Sequence, residues 1–333
     1  MEKKRKKRIT LTAGLLTAVC LAVSCLFTGC GNLAYDLPYE ADAQISGYNV
    51  IFKEKPGVLE AFAADLCVVT DDVIGMTDVN MEKAGAAALF DLTERNVVYS
   101  KNAHTRLQPA SLTKVMTALV ALKYGSLDQI LTATSAVNIT ESGAALCGLK
   151  AGDTMTLHQA LHILLIKSAN DVAMLIAENI GGSVEGFVSL MNEEAKALGA
   201  TNTCFQNPHG LTQENHYTTV YDLYLMFQEA AKYSLFQEII QTKEYQTIYY
   251  DKSGKEKKLS VNSTNRFFQG DFKTPDNVTV IGGKTGTTNA AGHCLILMSR
   301  DVNGNPYISV VLRATASDVL YTEMIDLLDE INK

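Results

Sequence analysis

The sequence lacks the residue patterns of a metal centre, a disulfide-stabilised domain or a repeat protein. Its six histidines form no HExxH or similar ligand motif, and its 333 residues contain no internal repeat. The cysteines after the N-terminal segment lie far apart, without the paired spacing of zinc or redox motifs; they are Cys67, Cys147, Cys204 and Cys294. We therefore expect buried free thiols rather than a disulfide framework, no bound metal and no cofactor.

Positive charge is scarce beyond the first thirty residues. These begin with the basic block MEKKRKKR, and an almost uncharged run follows from Ile9 to Gly29. This pattern is typical of a secretory signal or a membrane anchor, which leaves the basic end in the cytoplasm and the remaining chain outside. Without this segment, 23 Lys+Arg stand against 35 Asp+Glu, a net charge near −12. Such a surface repels polyanions, so we expect no nucleic-acid partner.

The apolar run ends in LFTGCGN, which resembles a bacterial lipobox, a motif whose cysteine is lipidated and becomes the new N-terminus. Cys30 is the expected lipid attachment site, and Cys25 or an uncleaved anchor are the alternatives. All three place the protein on the outer face of the bacterial cytoplasmic membrane. We expect a signal peptide with lipobox at 1–30, a polar tether at 31–57 and a folded domain at 58–333.

The order of strand and helix patterns predicts an α+β fold. Strand patterns near the N-terminus, AALFDL and NVVYSK, flank a turn, and further strands follow Tyr245. The middle of the chain has helical periodicity and recognisable caps. The expected capping residues are Thr156 with Gln159, Ser183, Thr219 and Ser317. We expect an antiparallel sheet formed by strands from both ends of the chain and covered by helices.

A serine and a lysine lie one turn apart at the start of a predicted helix, within the stretch from Gln108 to Gly125. Ser111 and Lys114 share one face near the helix N-terminus. A lysine that desolvation makes neutral could accept the proton of a serine that attacks a carbonyl. The alternative is an N-cap serine with a solvated lysine, because Ser-x-x-Lys occurs by chance roughly once in a chain of this length.

Two further triplets have matching chemistry. Ser168 to Asn170 falls in the break between two helices, and Lys284 to Gly286 lies in a predicted strand. Taken singly, Ser168 could be a helix N-cap, Asn170 a turn residue and Lys284 a solvated lysine on a strand. By chance alone, the triplet Lys-Thr-Gly is nevertheless expected in fewer than about one chain in ten. The order and context of the three motifs fit the Ser-x-x-Lys, Ser-x-Asn and Lys-Thr-Gly set of penicillin-interacting enzymes.

With these motifs the sequence resembles the serine-type D-alanyl-D-alanine carboxypeptidases, the low-molecular-mass penicillin-binding proteins of bacterial walls. The likeness extends from about Ala84 to Arg313 and includes RLQPASLTKVMTA, LLIKSANDVA, NSTNRF and GGKTGTTNAAGHC. The resemblance implies a β-lactamase/transpeptidase-like fold for the domain at 58–333. It also implies an enzyme that removes the terminal D-alanine from peptidoglycan stem peptides through a serine acyl-enzyme, and that β-lactams acylate.

The resemblance implies three catalytic residues. Ser111 would be the nucleophile, Lys114 the base that activates it, and Ser168 the group that relays a proton to the departing amine. The oxyanion hole would use backbone N–H groups of Ser111 and Thr287, since donors at a helix terminus favour developing negative charge.

The resemblance also implies the substrate-binding residues. Asn170 would hold the substrate amide, Lys284 would supply positive potential, and Thr285 would hydrogen-bond the terminal carboxylate. Gly286 would let the strand backbone lie close to the substrate, because it has no side chain.

Departures from the family pattern are few. Ala169 stands where many relatives have glycine, and the segment SDVLYTEM lacks an arginine that helps many relatives bind the carboxylate. Arg313 is a possible substitute, or simply a surface charge. We expect His209 to be a hydrogen-bonded structural residue. Relatives often append a β-rich domain and a C-terminal anchor, whereas this sequence runs only to Lys333, so Cys30 would supply the anchor.

Two other functions remain open from the sequence. A class A-like β-lactamase shares the three triplets, but its deacylating glutamate, followed three residues later by asparagine, is not evident, and Glu214 lacks that spacing. The other is an inactive lipoprotein that only binds wall peptides, which has no need for the complete set of reactive side chains.

Overall fold

The computed structural model describes residues 64–73 and 79–333, and within them strands lie at both ends with helices between. The strands are β1 (Ala86–Asp91), β2 (Asn96–Lys101), β3 (Ile130–Thr132), β4 (Thr154–Thr156), β5 (Glu244–Tyr250), β6 (Glu256–Asn262), β7 (Thr279–Thr288), β8 (Gly292–Arg300) and β9 (Pro306–Ala314). The helices are α1 (Thr113–Tyr124), α2 (Leu157–Ile166), α3 (Asn170–Gly181), α4 (Val184–Ala197), α5 (Val220–Ala230), α6 (Ser234–Gln241), α7 (Arg266–Gln269) and α8 (Ser317–Asp329). The expected signal peptide, lipobox and tether, with Cys30, lie outside the described residues.

The main sheet is antiparallel and has the strand order β2-β1-β9-β8-β7. Strand β1 pairs with β9, so that Ala86 lies opposite Leu312. The expected α+β fold, with one sheet built from both ends of the chain, is therefore confirmed. Among the strands of residues 64–73 and 79–333, β7 is at an edge of this sheet, and one side of its backbone has no neighbouring strand.

Both faces of the main sheet are covered. On β8, Ile296 and Met298 pack into the larger core with the central helices, whereas Leu295 and Leu297 pack into a smaller core with α8. Strands buried on both faces have near-continuous apolar sequences, which explains why β8 reads CLILM without polar alternation.

Helix α1 runs through the larger core. The sequence predicts one buried stripe on this helix, but every residue from 113 to 121 is buried. A helix surrounded by other elements is buried on all sides, so its polar residues are enclosed as well. Lys114 is consequently fully buried.

A second sheet was not predicted from the sequence. It has the order β3-β4-β5-β6. Most of β6 is exposed, and its sequence EKKLSVN has little of the apolar content by which a strand is recognised. Within residues 64–73 and 79–333, none of the helices combines the length and apolarity needed to cross a bilayer.

Candidate active site

The three sequence motifs meet around one cavity of about 290 Å³. Ser111 lies in a 3₁₀ turn that precedes α1, and the second motif lies where α2 ends and α3 begins. The third motif is on β7. The expected site residues that line the cavity are Ser111, Ser168, Asn170, Thr285, Gly286 and Thr287. Lys114 and Lys284 are buried beside it and contact its lining residues.

The amine of Lys114 is the centre of the hydrogen-bond network. Its Nζ lies 2.9 Å from Ser111 Oγ and donates to Asn170 Oδ1 at 2.7 Å and to the His209 carbonyl oxygen at 2.6 Å. Burial holds the pKa of Lys114 well below its usual value; the positive charge of Lys284 lowers it further, and Asp171 opposes the shift. The neutral form of this amine is therefore accessible.

A neutral lysine amine has two N–H groups and one lone pair. The Asn170 oxygen and the His209 carbonyl accept two hydrogen bonds from Lys114, which matches the two N–H groups. The lone pair then remains for the hydroxyl of Ser111. This arrangement equips Lys114 to remove the proton of Ser111 as the serine oxygen attacks an electrophile.

Lys284 connects the second and third motifs. Its Nζ donates to Ser168 Oγ at 2.9 Å and to the Thr285 carbonyl oxygen at 2.8 Å. Burial lowers the pKa of Lys284 to about 7. The Ser168 hydroxyl thus accepts a hydrogen bond from Lys284 and keeps its own proton available for a group in the cavity.

Two residues of the site have left-handed backbone conformations. Ala110, which precedes Ser111, has φ of 49°, and Ser168 has φ of 63°. Such conformations cost about 1–3 kcal/mol each in residues other than glycine and persist where the surrounding structure holds them. Here they fix the directions of the two hydroxyl groups that the sequence assigns to catalysis.

Gly286 brings β7 against the turn that carries Ser111. A Cβ atom at this position would lie 2.9 Å from both the Ser111 backbone nitrogen and Leu112 Cδ1. The structure thus shows a close approach between two parts of the protein at this position, and the close approach to a substrate that the resemblance implies stays a prediction. Glycine is therefore needed here to bring β7, with the expected oxyanion donor Thr287, close to the other expected donor, Ser111.

The loop that contains His209 contributes a backbone atom that the sequence did not reveal. The His209 ring accepts a hydrogen bond from the Leu211 backbone at Nδ1, and burial lowers the pKa of His209 to about 3. This neutral ring has the hydrogen-bonded environment expected of a structural residue. The carbonyl oxygen of His209 contacts Lys114 directly. Because a backbone carbonyl has no residue signature, only the following Gly210 could have signalled a tight contact.

Thr264 and Arg266 also line the cavity, although the sequence did not single them out. The hydroxyl of Thr264 hydrogen-bonds that of Thr285 at 2.5 Å. Thr264 and Arg266 belong to the segment NSTNRF, which contributes to the family resemblance but contains none of the three motifs. Arg313, the sequence-based substitute for the missing arginine, instead lines a different cleft with Lys83.

The protein has an antiparallel sheet that is covered on both faces, and its serine and lysine motifs meet near the start of a central helix. This combination defines the class of the penicillin-interacting serine enzymes. The chain belongs to the D-alanyl-D-alanine carboxypeptidase family, peptidase S11, whose family model matches residues 76–316.

Curated relatives and solved structures agree with this assignment. The chain is 35% identical to D-alanyl-D-alanine carboxypeptidase DacF of Bacillus subtilis over 74% of its length, and 32% identical to DacC of Escherichia coli over 80%. It spans 61% and 64% of those two relatives. The structure of the Streptomyces K15 DD-transpeptidase matches with a TM-score of 0.70 and 26% identity, covering 77% of this chain and 99% of that one.

Proposed function

We propose that this protein is a serine-type D-alanyl-D-alanine carboxypeptidase that removes the terminal D-alanine from peptidoglycan stem peptides. The observation that carries the proposal is the contact between Lys114 Nζ and Ser111 Oγ, made by an amine whose N–H groups have other acceptors. This geometry gives the Ser111 hydroxyl a nearby proton acceptor. Membership of the carboxypeptidase family supports the same activity.

In the acylation step, Ser111 Oγ attacks the carbonyl carbon of the penultimate D-alanine while Lys114 Nζ accepts its proton. The negative oxygen of the tetrahedral intermediate is stabilised by the backbone N–H groups of Ser111 and Thr287. The carbon–nitrogen bond then breaks as Ser168 gives its hydroxyl proton to the nitrogen of the leaving D-alanine and takes up the proton held by Lys114, which becomes neutral again. Lys284 supports this relay because it fixes the Ser168 hydroxyl.

In the deacylation step, a water molecule attacks the ester carbon and gives a proton to Lys114. Lys114 returns this proton to Ser111 Oγ as the ester bond breaks and the shortened peptide leaves. In the earlier acylation step, Asn170 holds the substrate amide, and Thr285 hydrogen-bonds the terminal carboxylate. A β-lactam is accepted as a substrate analogue because it places a strained amide beside a carboxylate. Its bulky acyl group stays on Ser111 and hinders the water, so deacylation is slow.

The site would work outside the cytoplasm. The basic and apolar N-terminal segment is typical of an export signal, and peptidoglycan stem peptides lie on the outer side of the membrane. Cys30 would carry a lipid that attaches the chain to the outer face of the cytoplasmic membrane, with 31–57 as the tether and 58–333 as the catalytic domain. One lipid-modified terminus attaches a protein without spanning the bilayer.

Replacement of the nucleophile tests the proposed function. Wild-type protein should release D-alanine repeatedly from diacetyl-Lys-D-Ala-D-Ala and should form a covalent penicillin adduct that maps to Ser111. Ser111→Ala should lower turnover on the order of 10⁴-fold and should form no adduct, because the attacking oxygen is absent. The measurements are D-alanine release and the intact mass after exposure to penicillin, followed by peptide mapping.

The same assays exclude the alternatives. Rapid steady-state penicillin hydrolysis without D-alanine release would indicate a β-lactamase, and peptide binding without any covalent adduct would indicate an inactive binding protein. Ser189→Ala, at an exposed serine of α4, is the matched control and should leave both activities unchanged.

A further inference from the structure

The charged side chains that line the cavity are all basic. Among the described residues, Lys167 and Arg266 line it, and no aspartate or glutamate does. This is unusual for a chain with 36 acidic and 29 basic residues. A cavity with this lining favours an anionic ligand over a neutral or cationic one.

Arg266 is held in a fixed orientation by residues from two elements. Its Nε donates to Asp271 Oδ2 at 2.8 Å, and its Nη1 donates to Asp318 Oδ1 at 2.6 Å and to Ser317 Oγ at 3.1 Å. The guanidinium carbon also lies 4.6 Å from the ring centre of Phe272. A planar guanidinium fixed in this way presents its remaining donors in a set geometry.

One nitrogen of this guanidinium remains available. Within residues 64–73 and 79–333, no hydrogen bond from Arg266 Nη2 is formed, although Nε and Nη1 are both engaged. Thr264 and Thr285 line the same cavity, and their hydroxyl groups form a hydrogen bond of 2.5 Å between the two Oγ1 atoms. A guanidinium nitrogen together with threonine hydroxyls is a suitable donor set for a carboxylate.

We propose that Arg266 binds the C-terminal carboxylate of the substrate, and that Asp271 and Asp318 are positioning residues that orient its guanidinium. The proposal rests on the proposed function, which requires a ligand with that carboxylate. It assigns the anionic subsite to the short helix α7, which begins at Arg266, and to the start of α8. Arg313 cannot take this role from its position in the other cleft.

The two aspartates do not cancel the attraction of Arg266 for a carboxylate. The Asp318 side chain is 80% exposed and that of Asp271 is 42% exposed, whereas that of Arg266 is 29% exposed. Water and salt screen the exposed carboxylates more strongly than the partly buried guanidinium. The aspartates therefore act mainly through the geometry that they impose.

Pairs of ligands with and without the carboxylate test this subsite. The first pair is diacetyl-Lys-D-Ala-D-Ala and its C-terminal amide, compared by kcat/KM, and the second is benzylpenicillin and its methyl ester, compared by acylation rate. The acid-to-neutral ratio within one preparation is independent of the folded fraction. A variant that is partly unfolded therefore still gives a valid ratio.

Wild-type protein should prefer the acid of each pair. In Arg266→Gln the acid-to-neutral ratio should fall about tenfold, because a charge-assisted hydrogen bond is removed. Arg266→Lys should retain part of it, since the charge remains and the planar fork is lost. Arg313→Gln removes an arginine from the other cleft and should keep the wild-type ratio.

Three outcomes would overturn the proposal. The first is an unchanged acid preference in Arg266→Gln, and the second is loss of the preference in Lys167→Gln instead. The third is a wild-type protein that reacts with neither pair, which would overturn the proposed function as well. Normal wild-type turnover with an Arg266-independent ratio would reject only the carboxylate assignment.

Discussion

At the scale of single residues, Lys114 and Lys284 are both buried beside the cavity and both have lowered pKa values, and a neighbouring charge contributes only for Lys114. Burial dominates for each, and it lowers the pKa of Lys284 to about 7. The pKa of Lys114 is lowered by burial and also by the charge of Lys284. Protonation of Lys284 therefore favours the neutral, proton-accepting form of Lys114.

Lys284→Gln should move the acid limb of the acylation rate to higher pH. Lys284 is cationic below about pH 7, where its charge lowers the pKa of Lys114. Without that charge the pKa of Lys114 rises, so a higher pH is needed to deprotonate it. The measurement is the pH profile of acylation by a reporter β-lactam, and the midpoint can be read even if the variant reacts slowly.

The matched control for this profile is Lys258→Gln, at an exposed lysine of β6, which should leave the midpoint unchanged. An acid limb that stays in place or moves to lower pH in Lys284→Gln would contradict the coupling between the two lysines.

The sequence predicts the reactive side chains better than their surroundings. Ser111, Lys114, Ser168 and Lys284 were identified from short motifs, because side-chain chemistry at a fixed spacing leaves a readable pattern. The carbonyl group of His209 leaves no such pattern, since every residue has one. Arg266 meets Asp318 only through the folded chain, so its position in the cavity could not be derived from local sequence.

At the scale of elements, the sequence predicts helix caps well where the capping side chain bonds within its own helix. It does not predict the caps that are lost to hydrogen bonds with distant residues. The capping box of Thr156 and Gln159 is present, and Thr219 caps α5. Ser317 does not cap α8, because Ala316 occupies the N-cap position and the Ser317 hydroxyl accepts a hydrogen bond from Arg266. The Ser317 oxygen that was expected to cap the helix is therefore engaged in a tertiary hydrogen bond instead.

Gly210→Ala should destabilise the packing of the loop against the turn before α1. Gly210 has φ of 88°, and a Cβ atom there would overlap the carbonyl oxygen of Ala110. We expect a loss of at least about 2 kcal/mol in the free energy of unfolding, measured by urea denaturation, together with slower acylation. Slower acylation follows because the same loop positions the His209 carbonyl against Lys114.

Gly254→Ala is the control for backbone strain alone. Gly254 has φ of 77°, but its Cβ position meets no atom within 4 Å. In this variant the free energy of unfolding should fall by about 1 kcal/mol, and the acylation rate should stay normal. Equal losses in the two variants would show that the contact with Ala110 contributes nothing beyond the backbone conformation.

At the scale of the whole molecule, the proposed position at the membrane depends on the N-terminal segment. Its removal leaves a body with a net charge near −12, which has no electrostatic attraction to an anionic lipid surface. A covalent lipid would therefore provide the attachment.

Cys30→Ala tests the proposed anchor in intact cells. It should abolish metabolic labelling with a fatty acid and, if the signal is still cleaved, should release protein into the medium. Cys25→Ala is the matched control and should keep both the label and membrane retention. Unchanged labelling in Cys30→Ala would assign the lipid to another cysteine, and retention without label in the wild type would indicate an uncleaved anchor.

The pairing of β1 with β9 also determines when the protein can fold. Ala86 and Leu312 are partners although they are 226 positions apart, and β9 separates the N-terminal strands from β8 and β7. A chain still emerging from the ribosome therefore cannot complete the sheet until this late strand has been synthesised. Contacts of such long sequence separation also form slowly, because a large loop must close first. This topology suits the proposed export, because the sheet is completed only after the last strand is available.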